Sequence, residues 1–194
     1  MYIIGASGHA RVIIDTLESV GEKIEGVFDQ NKDVKTCLDY PVGSMENFIP
    51  AYEKVVFIAI GNIQWRKKLV LLFDCKVSWG KVLHPAATVS KYSVLGEGTC
   101  VMAGAVVQAN VEIGRHVIIN THASVDHDCI VGDYSLIAPN VTLCGGAKVG
   151  AECLIGAGAI LVPGIEIGDN CTVGAGSVIL RNIANGEHVS GIVK

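Results

Sequence analysis

An aliphatic residue stands at every sixth position of this chain, without interruption, from Leu83 through Val101, Ile119, Ile137 and Ile155 to Ile179. A small residue usually precedes it by two, as at Ala87, Thr99, Ala105, Ala123, Cys129, Ser135, Cys153, Cys171 and Ser177, and glycine often follows it directly. A period of six suits neither an α-helix nor a hairpin sheet, whereas a solenoid of short strands produces it.

Each hexapeptide then forms one strand and one corner, and strand alternation turns both the aliphatic residue and the small one inward. With three strands per coil, eighteen residues stack on eighteen at the sheet spacing of about 4.8 Å. The glycines fall where the chain bends.

With 194 residues and 50% hydrophobic content, the chain can bury one core or two. A net charge of −4 and the absence of a Lys/Arg block argue against nucleic acid or an anionic membrane as partner. No apolar run approaches the ~18 residues of a spanning helix, so no membrane insertion is expected. The opening Met1-Tyr2-Ile3-Ile4-Gly5 lacks the basic segment of a signal peptide, and a cytoplasmic protein is expected. Of seven cysteines, Cys129, Cys153 and Cys171 take the small inward slot, where they act as small hydrophobes; no cysteine shows metal-ligand spacing.

Residues 1–80 lack the period and form a separate α/β domain, with residues 81–194 as the solenoid. Tyr2-Ile3-Ile4 reads as a strand running into Gly5-Ala6-Ser7-Gly8-His9-Ala10. A helix follows with Val12, Ile13, Thr16, Leu17 and Val20 on one stripe. Strands from Ile24 to Phe28 and Val55 to Ile60, then a helix from Ile63 to Phe73 carrying Arg66, Lys67 and Lys68, complete a parallel-sheet unit. Ser7 and Ala10 stand where a dinucleotide fingerprint needs glycine, which argues against NAD. A turn with two glycines at a helix N-terminus still offers N–H groups to an anion or nucleotide, with Asp29 about twenty residues on. The alternative is a tight βα turn with no ligand.

Among six histidines, His116 and His122 read as surface residues, while His127 lies between Asp126 and Asp128. It falls at a corner, two residues past the inward Val125, with Ala109 below it, Gly145 above and Pro163 beyond. Small neighbours leave a recess around the imidazole, and an adjacent carboxylate raises its basicity, as a general base requires. A histidine merely solvated between two acids is the other reading.

Gly5-Ala6-Ser7-Gly8-His9 after the first strand, Phe57-Ile58-Ala59-Ile60-Gly61 after the third, and a hexapeptide domain opening near Leu83-His84-Pro85 resemble the sugar O- or N-acyltransferases of the sialic-acid O-acetyltransferase type. The likeness is greatest to the bacterial UDP-4-amino-sugar N-acetyltransferases of bacillosamine synthesis. The resemblance implies a small Rossmann-like α/β domain followed by an all-β left-handed parallel β-helix. It implies acetyl-CoA as co-substrate, no metal, and a nucleotide-linked amino sugar as acceptor, the expected one being UDP-4-amino-4,6-dideoxy-GlcNAc. GDP-linked amino sugars stay open, because Asp29 and Ser7 do not discriminate uracil from guanine.

By the same resemblance His127 is the general base and Asp128 orients it, in a direct transfer without an acyl-enzyme. Ser7, Gly8, His9, Asp29, Gln30, Gly61 and Asn120 would bind the acceptor. Leu136, Gly145, Ala157 and Ala175 would line the CoA track, with Leu136 where relatives carry a second histidine. A homotrimer is implied. An outward stripe of Val82, Cys100, Ile118, Leu136, Leu154 and Thr172 agrees with an interface. The competing readings are an O-acetyltransferase acting on sialic acid or a polysaccharide precursor, and a non-enzymatic or zinc-bearing β-helix protein using His116, His122 and His127.

Overall fold

The computed structural model describes residues 1–194 and divides into two compact units, Met1–Pro85 and Ala86–Lys194. The first unit comprises β1 (Tyr2–Ile4), α1 (Gly8–Ser19), β2 (Gly26–Asp29), β3 (Thr36–Cys37), β4 (Tyr40–Ser44), β5 (Val55–Ile58), α2 (Ile63–Phe73) and β6 (Ser78–Trp79). Its sheet has the order β3-β4-β2-β1-β5-β6. All pairings are parallel except the β3-β4 hairpin, which the alternation of strands and helices did not anticipate.

Ile3, Ile4, Val27, Val56, Phe57 and Ile58 form the buried centre of this sheet, as expected of parallel strands covered on both faces. Helix α1 buries Ala10, Ile13, Ile14, Thr16 and Leu17. The expected stripe is thus shifted: Val12 and Val20 are exposed, because Ile14 is four residues beyond Ala10 and completes the buried face. Helix α2 starts at Asn62, whose side chain accepts the Trp65 N–H at 2.9 Å. Of the three charges on this helix, Arg66 is buried; its Nη1 donates to the carbonyls of Ile60 (2.8 Å) and Gly61 (2.9 Å). The guanidinium thereby fixes the loop leaving β5 by satisfying carbonyls that have no strand partner.

The second unit is a three-sided parallel solenoid. Its first sheet stacks Cys100–Val101, Ile118–Ile119, Leu136–Ile137, Leu154–Ile155 and Thr172–Val173 in register. The second stacks Thr88–Val89, Val106–Val107, Ser124–Val125, Thr142–Leu143, Ile160–Leu161 and Val178–Ile179. The third stacks Val94–Leu95, Glu112–Ile113, Ile130–Val131, Lys148–Val149 and Glu166–Ile167. The inward series from Val101 to Ile179 is buried. Leu83 is 40% exposed, and Val89 and Leu95 are only half-buried, since the bottom coil has a neighbour on one side alone. After Ile179 the register shortens: Val173 pairs with Val189 and Ile179 with Val193, so the period ends where the coil does.

Polar members of the small slot are matched across coils. Ser135 Oγ donates to the Gly150 carbonyl (2.7 Å) and accepts the Cys153 N–H (2.9 Å), and Thr99 bridges Gly114 and Val117 in the same way. Cys153 Sγ continues the pattern, lying 3.0 Å from the Gly168 carbonyl and 3.4 Å from the Cys171 N. The inward cysteines are therefore weak hydrogen-bonding groups as well as small hydrophobes, and burial pushes the Cys129 and Cys153 thiols up to about 11. The apolar stripe of the first sheet is exposed only in part: Val82, Cys100 and Ile118 are buried, while Leu154 is open. No helix is long and apolar enough to cross a membrane.

Ile137 lies fully buried between Ile119 and Ile155. Truncation to Ala removes contacts to the coils on both sides, and chemical denaturation is expected to show a loss of about 2–5 kcal/mol.

Candidate active site

His127 and Asp128 occupy the corner between Ser124–Val125 of the second sheet and Ile130–Val131 of the third. Asp128 has φ +63, a left-handed conformation that turns the chain and sets its carboxylate beside the preceding imidazole. Asp128 Oδ2 lies 2.7 Å from His127 Nδ1. Its other oxygen, Oδ1, accepts from Asn110 Nδ2 at 2.7 Å. Asn110 stands eighteen residues before Asp128, directly beneath it in the coil below, and is the site residue that the sequence reading missed. The stacking rule already applied to His127 would have found it had it been applied to Asp128.

With Nδ1–H donated to Asp128, Nε2 carries the lone pair and is free to take a proton. The hydrogen bond to Asp128, reinforced by the charge of Asp126, holds the His127 pKa above its ordinary value. The Asn110 bond, followed by that to His127, holds the Asp128 carboxyl below its own. The Asp126 side chain also accepts the His127 backbone N–H at 2.8 Å. The imidazole is open to solvent, with 63% of its side chain exposed.

Gly145 lies over the ring. A Cβ built there would fall 2.6 Å from His127 Cε1 and 2.7 Å from Nε2, so any larger residue would displace the imidazole. The next N–H, of Gly146, donates to the His127 carbonyl at 2.9 Å and ties the corner to the coil above.

The remaining expected CoA residues lie elsewhere in the chain. Ala157 and Ala175 follow Leu154–Ile155 and Thr172–Val173, on the corner between the first and second sheets, where both are exposed. They stack as expected, with the Gly176 N–H donating to the Ala157 carbonyl at 2.8 Å, and a Cβ at Gly158 or Gly176 would meet open space. Gly145 therefore does not share their line, because it follows a second-sheet strand and they follow first-sheet strands. Asn120 belongs to the corner of Ala157, and its Oδ1 turns back to accept the Thr121 N–H at 2.8 Å. Leu136 is half-buried on the first sheet.

Of the other two corner histidines, His116 departs from the surface reading and His122 follows it. His116 is buried and stacks on Tyr134, with ring centroids 5.6 Å apart. His122 is exposed and lies against Gly104. Nowhere are three His, Cys, Asp or Glu side chains grouped so as to hold a metal ion.

In the first unit, Ser7, Asp29 and Gln30 line one cleft of about 190 Å³, together with Gly5, Met45, Ile60, Trp65 and Leu69. Asp29 is held by backbone donors, Ala6 N–H to Oδ2 and Asn31 N–H to Oδ1, both at 2.7 Å. Gly5, at φ +108, must be glycine, since a Cβ would strike Ile60 and the Ala59 carbonyl. Gly8, in contrast, faces open space at the start of α1, where Ser7 makes no side-chain cap bond. His9 is largely buried; desolvation, then the charge of Arg66, brings its pKa down to about 4. Gly61 gives its carbonyl to Arg66 and does not line the cleft.

Residues 1–71 match the PglD N-terminal domain, and residues 92–127 and 146–181 match the bacterial transferase hexapeptide family (six repeats). The chain is similar to PerB from Caulobacter crescentus, solved with CoA and GDP-perosamine, at 37% identity and TM-score 0.89, covering 98% of this chain and 93% of that one. It is also similar to the acetyltransferase domain of PglB from Neisseria gonorrhoeae, solved with acetyl coenzyme A, at 31% identity and TM-score 0.90, covering 98% and 95%. A third relative is the UDP-N-acetylbacillosamine N-acetyltransferase of Bacillus subtilis, 35% identical over 110 residues, which are 52% of this chain and 50% of that protein. The chain spans half or less of the length of the curated relatives it matches. It belongs to the hexapeptide-repeat N-acetyltransferase family that joins a PglD-type N-terminal domain to a left-handed β-helix.

The stack of Asn110, Asp128 and His127 makes a measurable electrostatic prediction. NMR titration should give a His127 midpoint above the ordinary histidine value of about 6.5. Asp128→Asn should lower that midpoint, and Asn110→Ala should lower it by less.

Proposed function

We propose that this chain is an acetyl-CoA-dependent N-acetyltransferase whose acceptor is the amino group of a nucleotide-linked amino sugar, serving bacterial glycan biosynthesis. The observation that carries the reading is the His127–Asp128–Asn110 stack, which leaves a basic nitrogen exposed on a small-residue corner. Family membership and the nucleotide-sugar and CoA ligands of the relatives support the same reaction.

His127 Nε2 accepts the proton that the acceptor amine loses as its nitrogen attacks the thioester carbonyl. Asp128 keeps the ring in the tautomer this requires and stabilises the imidazolium that results. The Gly145 N–H, flanked by the bonded N–H groups of Cys144 and Gly146, is the candidate donor to the oxygen of the tetrahedral intermediate. As that intermediate collapses, the new C–N bond remains and the C–S bond breaks. His127 then returns its proton to the departing sulfur, so no nucleophilic Ser or Cys is needed. Buried neutral thiols at Cys129 and Cys153 fit this, since neither is a ready nucleophile.

Acetyl-CoA fits the exposed line of Ala157 and Ala175, where small side chains leave room for an extended arm. That line and the His127 corner lie on different corners of one chain. A homotrimer, in which one copy sets its Ala157 corner against the His127 corner of the next, would complete the site. Ser7, Asp29 and Gln30 would receive the nucleotide, with Gly8 leaving the helix terminus open to the diphosphate. Gly61, whose carbonyl accepts from Arg66, shapes the loop beside that cleft. Seven free cysteines suit a reducing cytoplasm.

An assay of acetyl-CoA consumption against UDP- and GDP-linked 4-amino sugars and free sialic acid tests the assignment. His127→Ala should cost roughly 10²–10⁴ in kcat while the fold is kept; near-normal turnover would remove His127 as base. Gly145→Ala should also lower kcat, because its methyl would occupy the imidazole position. In pH profiles the acidic limb reports loss of the neutral base, so Asp128→Asn should move that limb to lower pH as it reduces turnover.

A further inference from the structure

The carboxyl edge of the first unit's sheet places its loops in a fixed order. The strand order and register set Ser44 at the end of β4 beside Asp29 at the end of β2; next comes Gly5-Ala6-Ser7 after β1, then Ile60-Gly61 after β5. Ligands of open parallel sheets lie across this edge. A nucleotide whose diphosphate meets the start of α1 has its ribose at Asp29, and its base lies beyond, over the end of β4.

A second recess of about 330 Å³ is found there. It shares Gln30 and Met45 with the nucleotide cleft and adds Lys32, Ser44 and Glu46. Ser44 Oγ is buried and has no hydrogen-bond partner in the protein. Lys32 Nζ and Glu46 Oε2 lie 2.8 Å apart at the recess, presenting a donor beside a carboxylate. The proposed function does not use this recess.

Resting on that proposed function, we infer that this recess is a guanine-reading subsite and that the acceptor is a GDP-linked amino sugar. Guanine offers an acceptor, O6, followed by two donors, N1–H and the N2 amino group. The ammonium of Lys32 matches the first, and the two oxygens of Glu46 match the others as a bidentate pair. Uracil offers acceptor, donor, acceptor, so that one Glu46 oxygen would face a carbonyl oxygen at close range. The Ser44 hydroxyl is left to satisfy a further polar atom of the base, which removes the cost of its unpaired burial. Met45 supplies the apolar contact between the two recesses.

The test pairs binding with turnover. Calorimetry with GDP and UDP, and kcat/KM for GDP- and UDP-linked forms of one 4-amino sugar, should favour guanine by roughly tenfold or more. Glu46→Gln should collapse that ratio by selectively weakening the guanine-linked ligand, and Ser44→Ala should weaken GDP binding without lowering the melting temperature of the free protein. Equal or better use of the UDP form, or a ratio untouched by Glu46→Gln, overturns the base assignment and leaves the acetyltransferase reading intact. If no nucleotide binds and no amino sugar is acetylated, both fall together.

Discussion

One hydrogen-bonding register governs the solenoid: the N–H of a strand residue donates to the carbonyl seventeen positions later, as Cys100 does to Val117, Ser124 to Val141 and Ile130 to Ala147. With that ladder in place the side chains of each coil stand on those of the coil below. Inward positions form one column of aliphatic and small residues, and the buried hydroxyls and thiols of the column find carbonyls across the coil boundary. Corner positions stack too, which is why a glycine at 145 and an asparagine at 110 bear on the geometry at 127 and 128.

The chemistry of the His127 corner follows from its exposure as much as from its partners. In water an isolated histidine–carboxylate pair gains little from its charge alone. Here Asn110 anchors Asp128 from below, Gly146 ties down the His127 carbonyl, and Gly145 leaves room for the ring that a Cβ would take away. Orientation comes from backbone register, so the site is preorganised without burial. The same register separates the Ala157 line from the His127 corner.

The first unit solves a different problem by a different route. Arg66 is buried so that the loop leaving β5 has its carbonyls satisfied, and Gly5 is forced by the approach of Ala59 and Ile60. These fixed loops leave Ser7, Gly8 and Gln30 available at the sheet edge, while Asp29 is braced by two backbone N–H groups. Burial and the nearby Arg66 charge keep His9 neutral, so it adds no fixed charge near the start of α1.

The period of six was sufficient to predict the strands, their inward residues and the corner that holds His127, because each depends only on spacing along the chain. Its limits were physical as well. Leu83 obeys the period yet is exposed, since burial needs a coil on both sides, and spacing does not distinguish Arg66 from Lys67 and Lys68 until the carbonyls it serves are in place. Asn110 was legible in principle through the eighteen-residue offset; the β3–β4 hairpin and the recess beside Ser44 were not, because they depend on how separate strands are ordered in a sheet. The sequence by itself determined the repeat and the identity of the candidate base. Only the tertiary structure decided which groups meet across coils and strand ends, because those neighbours are brought together by hydrogen-bond register and sheet order and not by proximity along the chain.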